Sequence, residues 1–217
     1  MENACDYFLR TENTVRVFLK EYHACKAKVR LTQELIINGD AAPGLKTTKI
    51  TFGEWWAKNK NHRNVIVEAR QQYWIEAFAS GLLAGSVLKM AARAIEHYSK
   101  NTAIPEEWEK VVGKKFLPSE FFIGRTIHTV PLGLLIYAGW NQYNNPVSKE
   151  IRVINQQVFR QVATHSEIFE FESFAGLDFD FINLHFEHFA SNVIDVLCWN
   201  DYDDYIKDMQ QALSSRC

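Results

Sequence analysis

Apolar residues recur at helical spacing along most of this chain. Val15, Phe18, Leu19, Tyr22, Cys25 and Val29 recur at helical spacing with charges between them, which predicts an amphipathic helix running to Ile37. Asn38-Gly39 then reads as a left-handed cap pair. Residues 40–49, with Ala-Ala-Pro-Gly inside, form the first loop. Thr51-Phe-Gly-Glu54 has the form of a capping box opening a short helix with Trp55 and Trp56. From Val65 to Lys100 the helical pattern is longest. Gly81 and Gly85 lie one turn apart in it, which marks a tight helix crossing or a kink, each glycine costing about 1 kcal/mol relative to Ala.

Pro105 starts another helix through Val112. Pro118-Ser-Glu restarts one at Phe121, Pro131 interrupts it, and Val130–Tyr143 continues at a changed angle. Ser148 caps a helix from Lys149 to His165, with Ile151, Ile154, Val158 and Val162 facing inward. Ile168-Phe-Glu-Phe-Glu and Leu177-Asp-Phe-Asp-Phe alternate with period two around Ala175-Gly176, which predicts a small β-hairpin near 168–181. Helical spacing returns with Ile182, Phe186, Phe189, Val193 and Val196. Asn200 caps a last helix carrying Tyr202, Tyr205, Ile206, Met209 and Leu213. The expected fold is all-α: a single helical-bundle domain over 1–217, of about eight helices, divisible into an N-terminal helical segment (residues 1–112) and a C-terminal segment (residues 113–217).

Composition narrows the function classes. The chain has 217 residues, 47% of them hydrophobic and 23% charged, with 15 Phe, 8 Tyr and 6 Trp, so it can bury a large aromatic core. Its 24 basic and 26 acidic residues give a net charge of -2, without the basic excess of most nucleic-acid binders; an RNA role must rest on a local patch. Cys5, Cys25, Cys198 and Cys217 are scattered, which suits a reducing compartment. The N-terminus lacks the pattern of a signal peptide, and the apolar runs 77–90 and 130–138 fall short of the ~20 residues of a membrane span. A cytoplasmic protein with no membrane partner is expected.

Phosphate-binding loops, dinucleotide fingerprints, nucleophile elbows and zinc-finger spacings are absent from the sequence. His185 and His188 stand three apart on a predicted helix, but two ligands are too few for a metal site, so neither metal nor cofactor is expected. Three Arg–His pairs have the geometry for holding a phosphate while moving a proton: Arg93 with His97, Arg125 with His128, and Arg160 with His165. The same spacing also arises from surface arginines beside helix-terminal histidines. The apolar helix Gly133–Tyr143 ends in Trp140, Asn141, Gln142, Asn144 and Asn145 before Pro146. Those amides either form a recognition surface or cap the helix and begin an Asn-Pro turn.

The run Ile123-Gly-Arg-Thr-Ile-His-Thr-Val-Pro-Leu-Gly-Leu-Leu-Ile-Tyr-Ala-Gly-Trp-Asn-Gln-Tyr-Asn-Asn145, with the tail Ala190–Met209, resembles bacterial helical proteins of the HEPN type (named for higher eukaryotes and prokaryotes nucleotide-binding). That resemblance covers the C-terminal segment, residues 113–217. It implies a metal-independent endoribonuclease or RNA-binding protein of bacterial defence, a homodimer pairing two motifs across its axis. The family's signature of Arg, a polar residue that is often Asn, and His a few residues later departs here: Trp140 stands at the arginine, Asn145 at the histidine, and only Asn141, at the polar position, fits. On this reading Arg160 and His165 would carry catalysis, and Trp140, Asn141, Asn145, Arg125 and His128 would bind RNA or a partner. The alternative is a non-catalytic protein-interaction scaffold anchored by Trp55, Trp56, Trp140 and Trp199.

Overall fold

The computed structural model of the protein describes residues 3–40, 60–112, 118–144, 153–165 and 189–214. Among them the fold is all-α, with seven α-helices rather than about eight. They are α1 (Ala4–Asp40), α2 (Lys60–Tyr98), α3 (Glu106–Val112), α4 (Leu132–Asn144), α5 (Val153–His165), α6 (Ala190–Leu197) and α7 (Tyr202–Ala212). A two-stranded antiparallel sheet, β1 (Thr126–Ile127) and β2 (Val130–Pro131), precedes α4. The hairpin expected near 168–181 and the capping box at Thr51 lie outside the described residues.

The helix ends follow local chemistry that the sequence pattern places only partially. At the start of α1, Asp6 N–H donates to Asn3 Oδ1 (3.0 Å) and Asn3 N–H to Asp6 Oδ2 (3.3 Å), a reciprocal cap. The helix continues through Asn38-Gly39 to Asp40, beyond its expected end. Pro105 starts α3 as expected, its carbonyl accepting from the Trp108 and Glu109 amides. The last helix is capped one residue later than expected. Asp201 Oδ1, not Asn200, accepts from the amides of Asp203 (2.8 Å) and Asp204 (3.1 Å).

A larger correction concerns 121–131, expected to be helical. Helical geometry there is limited to a single 3-10 turn, Ser119–Phe121, and the chain then forms the small hairpin. Gly124 adopts φ +83°, which an L side chain resists, and Pro131 lacks the N–H a helix interior requires. The Leu132 and Gly133 amides donate back to the carbonyls of Arg125 (2.9 Å) and Ile123 (3.1 Å), and α4 begins there.

The chain forms two compact units, residues 1–20 with 83–217 and residues 21–82. The first is centred on α4, whose Leu132, Leu134, Leu135, Ile136 and Ala138 are buried and which packs on α5 and α6. Each such large side chain contributes about 1.5–3 kcal/mol on full burial. Two glycines permit the close approach. The Tyr143 ring lies directly on Gly85, and a Cβ on Gly139 would stand 2.9 Å from Leu88 Cδ1. The predicted tight crossing is therefore present at Gly85.

The second unit pairs the C-terminal half of α1 with the N-terminal half of α2. Tyr22 and Thr32 of α1 and Ile66, Ala69, Glu76 and Ser80 of α2 are buried. Cys25 and Cys198 are free thiols, whereas Cys5 is disulfide-bonded, which the scattered cysteine spacing did not lead one to expect.

Candidate functional site

The hairpin before α4 carries two of the residues singled out from sequence. Its register pairs Thr126 with Pro131 and Ile127 with Val130, so His128 and Thr129 form a two-residue turn. Both are left-handed, at φ 45° and 72°, as a type I′ turn requires. Such turns favour Asn and Gly; a β-branched threonine at φ 72° is strained. Both residues are exposed. Thr129 Oγ1 donates to Gln161 Oε1 of α5 at 3.3 Å, which ties the turn to the helix that bears Arg160.

Arg125, at the base of the hairpin, points elsewhere. Its Nε and Nη2 grip the Asp208 carboxylate at 2.8 and 2.9 Å, and Nη2 also donates to the Leu197 carbonyl at 2.7 Å. Trp199 Nε1 donates to the same carboxylate at 2.9 Å. The hydrogen bonds to Asp208 raise the Arg125 pKa further, so the guanidinium stays charged. Arg125 is thus a clamp joining the hairpin to α6 and α7. Trp199, offered by the sequence as an interface anchor, is buried in that clamp.

At the amide-rich end of α4 Asn141 and Gln142 make contacts within the protein, whereas Asn144 is exposed. Asn141 is buried, and its Oδ1 accepts from Asn155 Nδ2 of α5 at 3.2 Å. Gln142 Oε1 accepts from the Phe189 amide (2.8 Å), satisfying an N–H just ahead of α6. Trp140 is half-buried, with Arg93 over its ring at 5.9 Å; its buried Nε1 and Asn155 Oδ1 find no hydrogen-bond partner among the described residues. Neither reading of this cluster describes Asn141 and Gln142, whose side chains instead link α4 to α5 and to the Phe189 amide ahead of α6. Asn145, His185 and His188 lie outside the described residues.

Arg160 is exposed on α5. His165 closes the same helix, five residues on, but its side chain lies outside the described positions. Arg93 pairs with Glu96 (2.9 Å) on α2. Among the described residues no group of three or more His, Cys, Asp or Glu is placed to hold a metal ion.

A different surface emerges in the second unit. Val67, Trp74, Ile75, Phe78 and Leu82 of α2 are exposed by 45%, 52%, 61%, 61% and 41%. With the exposed Gln71, positions 67, 71, 74, 78 and 82 recur every three or four residues and form one stripe. The buried set Ile66, Ala69, Glu76 and Ser80 follows the same period on the other side of the helix. Segment 73–78, Tyr-Trp-Ile-Glu-Ala-Phe, is apolar nearly all round, the signal by which the sequence could have revealed this surface.

Glu76, on the buried side, is nearly hidden, its Oε1 receiving Lys28 Nζ at 3.0 Å and Gln72 Nε2 at 2.5 Å. Burial pushes its pKa up, but hydrogen bonds from Lys28 and the Cys25 thiol outweigh that and hold it below the ordinary carboxylate value. Burial, then Glu76, raise the Cys25 thiol pKa, which makes it a poor nucleophile.

Comparison with protein-family models, with curated proteins and with solved structures returns no match.

Proposed function

We propose that this protein is a non-catalytic helical interaction module that binds a protein partner through the α2 stripe. The observation that carries the reading is the run Val67, Trp74, Ile75, Phe78 and Leu82, five large apolar side chains exposed side by side on one helix. Monomeric proteins seldom leave an apolar patch of several hundred Å2 uncovered unless it binds something. Trp and Phe at its centre are the side chains that concentrate binding energy at interfaces. The groups best suited to chemistry in the other unit are already engaged: Arg125 with Asp208, Asn141 with Asn155. A photo-crosslinking amino acid at position 74, expressed in the native cell, tests this. The reading requires covalent adducts that are absent when the crosslinker replaces exposed Lys89.

A second reading keeps the resemblance to HEPN proteins: RNA binding, with metal-independent cleavage resting on Arg160 and His165. What favours it is the strained His128-Thr129 turn, held by Gln161 beside Arg160. Incubation with mixed cellular RNA in EDTA, beside Arg160→Ala and His165→Ala, decides it. Cleavage by wild type alone is the required result.

A further inference from the structure

Of the four cysteines in this chain, Cys25 and Cys198 are free thiols and Cys5 is disulfide-bonded. Within the one chain, the sulfur left to pair with Cys5 is that of Cys217, which lies outside the described residues. We propose that a Cys5–Cys217 disulfide is a redox-controlled clasp, separate from the α2 stripe, that ties the first turn of α1 to the chain beyond α7 and so closes the first unit.

The two helices run toward that bond together. Arg16 of α1 meets α7 near its start: Nη2 reaches Asp203 Oδ1 at 3.4 Å, and Cζ stands 4.3 Å from the centroid of the Tyr202 ring. Nine residues earlier on α1, Tyr7 interacts electrostatically with Tyr205, further along α7. The helices are therefore antiparallel, and residues 5 and 212 lie on the same side of the Arg16–Asp203 contact. Cys5 is about 16 Å from that contact along α1, and Ala212 about 14 Å from it along α7, at 1.5 Å per residue. Beyond Ser214, the last described residue, three residues of extended chain reach about 10 Å, and a disulfide spans about 4.4–6.8 Å between Cα atoms.

The clasp acts on a unit that the sequence interrupts. Residues 21–82 separate its piece 1–20 from its piece 83–217. Apart from the chain itself, the contacts holding the short piece in place are non-covalent. Phe8, Val15 and Leu19 are buried, and Tyr7 Oη donates to the Met90 carbonyl at 2.9 Å. A bond from residue 5 to residue 217 adds a covalent tie at the far end of that piece. It also closes a loop around nearly the whole chain, the arrangement in which a cross-link removes most entropy from the unfolded ensemble.

Cys5 is partly exposed, so a soluble thiol or disulfide can reach it. The bond forms by exchange with a soluble disulfide. One cysteine thiolate attacks it and releases a first thiol; the other attacks the resulting mixed disulfide and releases a second. The two cysteines are oxidised, the soluble disulfide is reduced, and the two protons end on the released thiols. An excess of soluble thiol runs the same steps backward and opens the clasp. Cys25 is a poor competitor, because burial and then Glu76 keep its thiol protonated.

The test is a thiol count and peptide map of the full chain, alkylated after incubation with oxidised or with reduced glutathione. After the oxidised treatment the denatured chain should alkylate at Cys25 and Cys198 alone, and its digest should hold one linked peptide pair, containing Cys5 and Cys217. After the reduced treatment all four cysteines should alkylate, the helical circular dichroism should remain, and the melting temperature should fall by about 5–15 °C. Cys5→Ser and Cys217→Ser should each melt with reduced wild type and ignore the reductant, whereas the Cys25→Ser, Cys198→Ser double variant keeps the full shift. If a serine variant fails to fold, the shift of wild type between the two treatments decides. Four alkylated cysteines after the oxidised treatment overturn the proposal, as does a linked peptide pair that includes Cys25 or Cys198, or a disulfide-linked dimer. A melting temperature indifferent to the reductant, or a bond that opens only once the protein is unfolded, overturns it equally.

Discussion

Arg125 and Asp208, 83 residues apart in sequence, meet through two parallel hydrogen bonds of 2.8 and 2.9 Å. Asp208 is nearly buried, and Arg125 keeps 38% of its side chain exposed. Planar guanidinium and carboxylate match at two points, which Lys cannot reproduce. Removing one partner strands the other beside Trp199 and the Leu197 carbonyl. A fully buried pair would lose about 3–5 kcal/mol; exposure of the arginine reduces the expected loss for Arg125→Ala to about 2 kcal/mol, with Arg125→Lys recovering less than half. Urea unfolding of the three proteins measures it.

The left-handed turn is the second place where a small change has a signed effect. His128→Asn with Thr129→Gly installs residues that occupy φ > 0 without the threonine's penalty. Stability should rise by about 1 kcal/mol, read as a higher melting temperature. If RNA binding uses this turn, the same variant loses affinity while it gains stability; if stability falls, the strain argument fails.

Gly85 lies beneath the Tyr143 ring. A methyl group at position 85 must displace that ring, so Gly85→Ala should destabilise by about 1–3 kcal/mol despite the better helix propensity of alanine. Adding Tyr143→Ala should remove the clash, so the double variant loses less than the two single losses combined.

Glu76 makes the second unit sensitive to acid. Its folded-state pKa is lowered, chiefly by Lys28 once the opposing effect of burial is counted, so its contribution is present above the unfolded carboxylate value of about 4.3. That contribution fades as pH falls through the lower folded value. Thermal melts from neutral to acid pH should show wild type losing more stability than Glu76→Gln. Parallel curves would refute the assignment.

Tyr205 gives the opposite dependence at alkaline pH. Its hydroxyl is buried without a hydrogen-bond partner among the described residues, and burial raises its pKa well above the ordinary 10.0. The unfolded chain ionises near pH 10 while the folded one stays neutral, so stability is intact below that pH and changes as pH rises beyond it, the ionised unfolded chain being favoured. Tyr205→Phe should remove this alkaline loss and, by deleting an unpaired hydroxyl, leave stability at neutral pH unchanged or up to about 1 kcal/mol higher. Thermal melts of both proteins from neutral to alkaline pH measure it.

By itself the sequence determined the fold class and much of the helix plan. The 3.6-residue period of Val15–Val29 and the start of α3 after Pro105 are set by neighbours in the chain, and local pattern reads them correctly. Gly85 was legible for the same reason, since a glycine one turn from another implies close approach. The hairpin at 126–131 was not legible. Apolar residues there fit a helix as well as a strand, and the outcome turned on Gly124 and on hydrogen bonds to Arg125 and Ile123. Side-chain roles depended still more on distant partners. Nothing near Arg125 announces Asp208, and nothing near Asn141 announces Asn155, because those contacts exist only once separate helices pack. Periodicity shows that α2 has apolar residues on two sides; only the tertiary structure decided that Ile66, Ala69 and Ser80 are covered while Trp74 and Phe78 face solvent. The physical reason is that a helix pattern specifies which residues share a face, whereas burial depends on which other element arrives to cover it.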